Sequence, residues 1–248
     1  MKTDKPKSVN NMKKFIIPAT IAFLFLSSCT IDRKQDHEIL ETSFLFYYVE
    51  NNEVIISGLT ELGQLQETII VPAKIDGLPV TYFGRTMETW GQISSSFLKK
   101  IIFLDNTTIF TRKTRIPNLS AIVFSGPEIN PRLPLSIVSR LRYELYAQPE
   151  TYAAIENSVN NPELHKTNPV RIANVLYLNN YLDSPNNGYF MVDSLQINDS
   201  LYCPFAPIRP GYSFTGWFLD SSTTLPVVVE NFTVFDDYIS LYAGWVLN

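Results

Sequence analysis

The side chains able to do chemistry are few in this 248-residue chain, and they lie far apart. There are two cysteines, Cys29 and Cys203, and two histidines, His37 and His165. A thiolate zinc site needs four ligands at close spacing, which cysteines near opposite ends of the chain and two isolated imidazoles do not supply. No nucleophile elbow, phosphate-binding loop or His-Glu-x-x-His segment occurs. The acid pairs Glu38/Glu41 and Asp236/Asp237 carry the residue types of a glycosidase. Such carboxyls must face each other across a cleft at about 5–10 Å, and a pair in a tether or loop offers neither cleft nor fixed separation. Asp236-Asp237 also presents too few oxygens to hold calcium. The expectation is a non-enzyme with no catalytic residues, no metal and no cofactor.

Composition narrows the partners. With 45% hydrophobic and 18% charged residues the chain must bury a core, and its length fits one or two domains. Twenty basic residues against 24 acidic ones, without a dense Lys/Arg stretch past the N-terminus, exclude nucleic acid as the main partner.

Lys13 and Lys14 lead into Phe15–Leu26, an apolar run that ends in Ser27-Ser28-Cys29. A mature membrane-spanning helix needs about 20 apolar residues, so this shorter run has the length of a signal-peptide core instead. Leu26-Ser27-Ser28-Cys29 resembles a bacterial lipobox. The resemblance implies cleavage before Cys29 and a diacylglycerol on its sulfur; the alternative is an ordinary secretory signal beside an incidental cysteine. Translation from Met12 would give a more compact signal than translation from Met1. Removing residues 1–28 takes away Lys2, Lys5, Lys7, Lys13, Lys14 and Asp4, which leaves 15 basic against 23 acidic residues, a net charge of −8. Anionic headgroups repel such a body, so the acyl anchor must hold it to the membrane. The chain is expected in a bacterial cell envelope, exported from the cytoplasm, with residues 29–41 as a polar tether. Cys203, beside Tyr202 and Phe205, reads as a buried small hydrophobe.

The elements that follow are mainly β. Phe44–Glu50 and Glu53–Leu59, separated by Asn51-Asn52, predict a hairpin. A short pattern then recurs through residues 42–156, with rungs at Ile69, Ile101, Ile122 and Leu145. The last two steps are nearly equal, and the longer first step, from Ile69 to Ile101, implies that one repeat carries an insertion or has degenerated. Each unit has the form L-x-x-I-x-F, as in Leu98–Phe103 and Leu119–Phe124, whose apolar positions point to one interior that no single unit covers, so the units must stack. The outward row of the same strands, Ile70, Ile102, Val123 and Tyr146, is apolar as well. Either a neighbouring domain covers that row, which is the simpler reading, or it is a candidate binding ridge for a hydrophobic ligand.

Residues 69–84, IIVPAKIDGLPVTYFG, resemble the leucine-rich repeats of the surface-antigen (BspA-like) type found in adhesin-like proteins. The later units depart from that pattern: Leu104 and Ser125 stand where its proline would be. The resemblance implies a short leucine-rich repeat solenoid, with residues 146–155 as a helical closing segment. Residues 157–169, with Asn160-Asn161-Pro162 and Asn168-Pro169, read as a linker. In 170–248 the segments Pro207–Phe218 and Ile239–Trp245 resemble the Listeria–Bacteroides repeat, also called the internalin B-repeat. That resemblance implies a small β-grasp-like domain whose aromatic signature, Tyr212, Phe214, Trp217, Tyr242 and Trp245, is structural; stacking on sugars is its alternative use. Together these readings describe a lipid-anchored envelope protein that binds an unknown protein or glycan ligand. The alternatives are an envelope scaffold or spacer, and a glycan-binding or glycan-degrading lipoprotein.

Overall fold

Asn51 and Asn52 adopt φ of 52° and 61°, the left-handed pair that a two-residue hairpin turn requires. They join β2 (Leu45–Glu50) to β3 (Glu53–Leu59) as the sequence predicts, and β1 (Leu40–Glu41) adds a further antiparallel strand, so the end of the expected tether is part of the sheet. We describe the protein from a computed structural model covering residues 38–85, 93–105, 107–109, 114–127, 143–152, 170–203 and 205–248.

Beyond the hairpin the chain coils. After a short helix, Glu61–Gln64, come β4 (Thr68–Val71), β5 (Lys74–Ile75), β6 (Leu78–Phe83) and β7 (Ile93–Ser94). The next turn of the coil is β8 (Lys100–Phe103), β9 (Thr108–Ile109) and β10 (Thr114–Arg115), and the next rungs are β11 (Ala121–Phe124), β12 (Glu144–Ala147) and β13 (Val170–Ile172). Like strands of successive turns pair in parallel. Among the described residues β4, β8, β11, β12 and β13 form one ladder in chain order, while β6 pairs with β9 and β7 with β10. In the long ladder Ile69 aligns with Ile101, Ile122, Leu145 and Val170.

Two sequence expectations change here. Part of the long first step has a concrete cause: the path from Val71 to Tyr82 is longer than its equivalent in the next turn, Phe103 to Thr108, and the rest of the excess lies between Tyr82 and Ile93. The extra residues of the Val71–Tyr82 path hold the β5–β6 hairpin, turned by Asp76 and Gly77 at φ 52° and 81°. The array also continues beyond residue 156. Val170–Ile172, expected to open the C-terminal domain, is instead the fifth rung, with Val170 in register with Leu145. Of the expected closing helix, Tyr146 and Ala147 lie in β12, residues 149–152 are helical and residues 153–155 lie outside the described residues, as does the expected linker 157–169.

The inward positions of the L-x-x-I-x-F units share one core. Leu98, Ile101, Phe103, Leu119, Ile122 and Phe124 are all buried together, with the Phe103 and Phe124 rings stacked at 5.8 Å and Phe83 edge-on to Phe103 at 5.4 Å.

The C-terminal strands are β14 (Val175–Leu178), β15 (Tyr189–Asp193), β16 (Tyr212–Phe218), β17 (Pro226–Val227) and β18 (Ile239–Leu247). They form a mixed sheet in the order β15-β14-β18-β16-β17, with β14 and β18 parallel and the other pairs antiparallel. Gly216, at φ 134°, absorbs a register shift between β16 and β18 that keeps Phe214 and Trp217 within 5.3 Å of each other. Opposite it, Gly244 has no room for a side chain: a Cβ there would collide with the Phe218 ring.

This sheet lies over the ladder. Ile70, Ile102 and Val123 belong to the same buried cluster as Val175, Tyr177, Met191, Val192 and Trp217, with Tyr146 packed at its margin. Ile102 and Val123 are completely buried. His37–Asn248 accordingly folds as one compact unit, although the sequence reads as two domains. Hydrogen bonds lace the seam: Ser125 Oγ accepts from Val192 N at 2.9 Å, Asn186 Nδ2 donates to Leu104 O at 3.3 Å, and Tyr189 OH donates to Glu150 Oε1 at 3.0 Å.

Burying a branched aliphatic side chain contributes about 1.5–3 kcal/mol, and a carboxylate in its place has no partner for its charge. Val123→Asp or Ile102→Asp is therefore expected to abolish the cooperative thermal transition followed by circular dichroism. A variant that stayed folded and merely lost a partner would restore the exposed-ridge reading.

Candidate binding groove

The row expected as a ridge is the seam itself. Ile70, Ile102 and Val123 are sealed against the C-terminal sheet and Tyr146 is half-buried, so these residues offer no free apolar face. The physical reason lies in the strands: they are apolar on both sides because both sides are covered.

Of the aromatic signature Trp217 is buried, while Tyr212, Phe214, Tyr242 and Trp245 are half-buried. Trp217 is buried against Tyr177 at 5.2 Å, and Phe214 bridges it to Trp245. Trp245 Nε1 donates to Asn179 O at 2.7 Å, which satisfies its one polar atom. Tyr212 carries the Arg209 guanidinium on its face at 3.7 Å, and Tyr181 approaches the same cation at 4.7 Å. Tyr242 is half-buried, with its Cα opposite that of Phe218. Cys29, His37 and His165 lie outside the described residues. Glu38, Glu41, Asp236 and Asp237 are exposed, and among the described residues no cluster of His, Cys, Asp and Glu has the composition of a metal site. Cys203 is half-buried, its Sγ 3.3 Å from Phe205 O.

A candidate concavity lies along the N-terminal ends of the ladder strands. It is an open groove of about 890 Å³. One wall is built from equivalent positions of successive rungs: Glu67, Lys99, Ser120 and Tyr143 just before the strands, then Thr68, Lys100, Ala121 and Glu144 at their first residues. Neighbouring rungs are about 4.7–4.9 Å apart, so these side chains form two evenly spaced rows. The other wall is the 194–200 segment after β15, represented by Ser194, Gln196, Asp199 and Ser200. Asn174 holds this wall in place by donating to Leu195 O at 2.8 Å and accepting from Leu195 N at 3.0 Å. Asp199 Oδ2 accepts from Gln196 N at 2.8 Å and closes the turn.

Lys99, Lys100 and Glu144 each have a charged partner. Lys100 Nζ donates to Asp193 Oδ1 and to Ser194 O, each at 2.7 Å, and so ties the ladder to the sheet. Side-chain exposure of this pair is 15% for Lys100 and 3% for Asp193. Burial raises the Asp193 carboxyl above the usual range, against the opposing pull of Lys100. Lys99 meets Glu67 at 2.7 Å, Glu144 meets Arg171 at 3.1 Å, and the Tyr146 hydroxyl donates to Glu144. Burial pushes the Tyr143 hydroxyl up to about 12, so it stays protonated at neutral pH. The arrangement presents fixed donors and acceptors.

The sequence reading missed this groove. Its signal was nonetheless in the rung spacing: Glu67, Lys99, Ser120 and Tyr143 each stand two positions before Ile69, Ile101, Ile122 and Leu145. A second, smaller hollow of about 370 Å³ is lined by Leu65, Ser94, Ser96, Phe97 and Arg115.

Removing one partner of a buried ion pair costs about 3–5 kcal/mol because the other charge is stranded. Lys100→Met is expected to lower stability by that order in urea titrations, and adding Asp193→Leu to recover most of it. The sign with pH follows from the carboxyl. Without Lys100 the folded-state pKa of Asp193 rises further above its unfolded value, so Lys100→Met loses stability relative to wild type as pH rises through that interval and regains it in acid. A pH-independent difference would contradict the assignment. Compared with known proteins, the chain matches no family model, no curated protein and no solved structure.

Proposed function

We propose that this protein is a non-enzymatic, lipid-anchored envelope protein that binds another macromolecule through the open side of its ladder. The observation that carries the reading is the seam. Because the apolar row is consumed in joining ladder to sheet, the groove along the strand ends is, among the described residues, a concavity with convergent polar groups that stays open to solvent. Concave sites with convergent polar groups are where ligands bind by default.

The architecture supports the family resemblances. In-register parallel rungs, with a second face paired between the first two turns, are what a short leucine-rich repeat solenoid provides. The order β15-β14-β18-β16-β17, with a parallel central pair between antiparallel hairpin arms, supports the β-grasp-like reading of the C-terminal sheet. On this reading the sheet caps and stiffens the array.

Anchoring rests on Leu26–Cys29 and the short apolar run before it. Among the described residues no helix is long and apolar enough to cross a membrane. Cells fed a fatty-acid analogue are expected to label the wild-type chain and to leave Cys29→Ala unlabelled. Equal labelling of both would remove the anchor, and turnover of a glycan or peptide by the purified chain would overturn the non-enzymatic reading.

A further inference from the structure

Resting on the reading of this groove as the binding face, we infer that its ligand is a neutral oligosaccharide lying across the ladder strands. Three features carry this. The first is the lining. Hydroxyls from Thr68, Ser120, Ser194 and Ser200, the Gln196 amide and the paired charges of Lys99 and Glu67 form a dense set of fixed donors and acceptors. Polyols are recognised by such sets of hydroxyls, amides and charged groups.

The second feature is the backbone. Peptides that add to a sheet need free main-chain groups. At this edge Lys99 and Lys100 N–H groups donate to Glu67 O, those of Ser120 and Ala121 to Lys99 O, and that of Glu144 to Ser120 O. The amides are used inside the ladder, so recognition falls to side chains.

The third is charge and spacing. Lys99 and Lys100 face Glu67, Glu144 and Asp199, and with Asp193 behind Lys100 the groove has no surplus of positive charge for a polyanion. Equivalent positions line the groove on four consecutive rungs, a span of about 14 Å at the ordinary strand separation, and their polar side chains include Thr68, Lys99, Ser120 and Glu144. A polar row of that length matches an extended chain of several hydroxyl-bearing units.

The test is calorimetric titration of the full chain with neutral hexaoses of β-1,4-linked glucose, xylose, mannose and N-acetylglucosamine, with a tetragalacturonate and an acidic peptide as charged probes. At least one hexaose is expected to bind, and binding is expected to weaken tenfold or more in Ser120→Trp, which fills the exposed floor. The Glu67→Ala/Lys99→Ala double variant removes a solvent-exposed pair of little structural weight and keeps the test valid if the tryptophan disturbs folding; it should show the same loss at unchanged thermal stability. Failure of every hexaose, hexaose binding unaffected by both variants, or preferential groove binding of either charged probe would overturn the inference. Capture of a protein partner that both Ser120→Trp and the double variant abolish would likewise overturn it while sparing the reading of the groove as the binding face. Shortening of a bound hexaose over time would support the ligand class and instead overturn the non-enzymatic reading.

Discussion

Water cannot be left against the outward row of the ladder. Ile70, Ile102 and Val123 stand side by side on parallel strands whose opposite face already forms the interior of the coil, so the row must find a second apolar surface. The C-terminal sheet supplies it through Val175, Tyr177, Met191 and Val192. Single buried side chains of this size contribute about 1.5–3 kcal/mol each, whereas an exposed surface ion pair contributes about 0–1 kcal/mol. The apolar row therefore dictates where the sheet sits, and the polar bonds of Ser125, Asn186 and Tyr189 settle its orientation.

From that constraint follows the place of the groove. The sheet covers the middle of the ladder strands and leaves their N-terminal ends open, where the rungs carry Glu67, Lys99, Ser120 and Thr68 in place of aliphatic residues. At the boundary stands Lys100. Its Nζ reaches from the ladder to the buried Asp193 and to Ser194 O, so the place where apolar cover ends is also where the wall segment 194–200 begins. The elements that hold the molecule together thus shape its accessible concavity.

Much of this was legible where the signal is local or repeats. Asn51-Asn52 specifies its hairpin by two residues with left-handed preference, and the L-x-x-I-x-F units place Ile101 against Ile122 because a fixed period fixes register. The same period marks the groove, through the polar residues two positions before each rung, although only the ladder shows that they share a wall. Val170 was hidden because a single Val-Arg-Ile stretch after a polar segment carries no leucine pattern, and its partner Leu145 lies on the far side of that segment. The one-body architecture was hidden for a different reason. An apolar outward row says that something covers it but not what, and the pairing of Lys100 with the distant Asp193 leaves no trace in either local segment. The aromatic signature predicted a core at Trp217, while the Arg209 stack on Tyr212 and Tyr181 emerges only once the 207–212 turn is folded beside β18.

The central claim is that ladder and C-terminal sheet are one cooperative body joined by the Ile70, Ile102 and Val123 row. Native-state hydrogen exchange resolved to individual strands tests it most directly. The account expects amides of β8 and β11 and those of β14 and β15 to open with the same free energy and the same denaturant dependence, as parts of a single unfolding unit. Exchange of the C-terminal strands through a separate, lower-energy opening, with the ladder still protected, would contradict it.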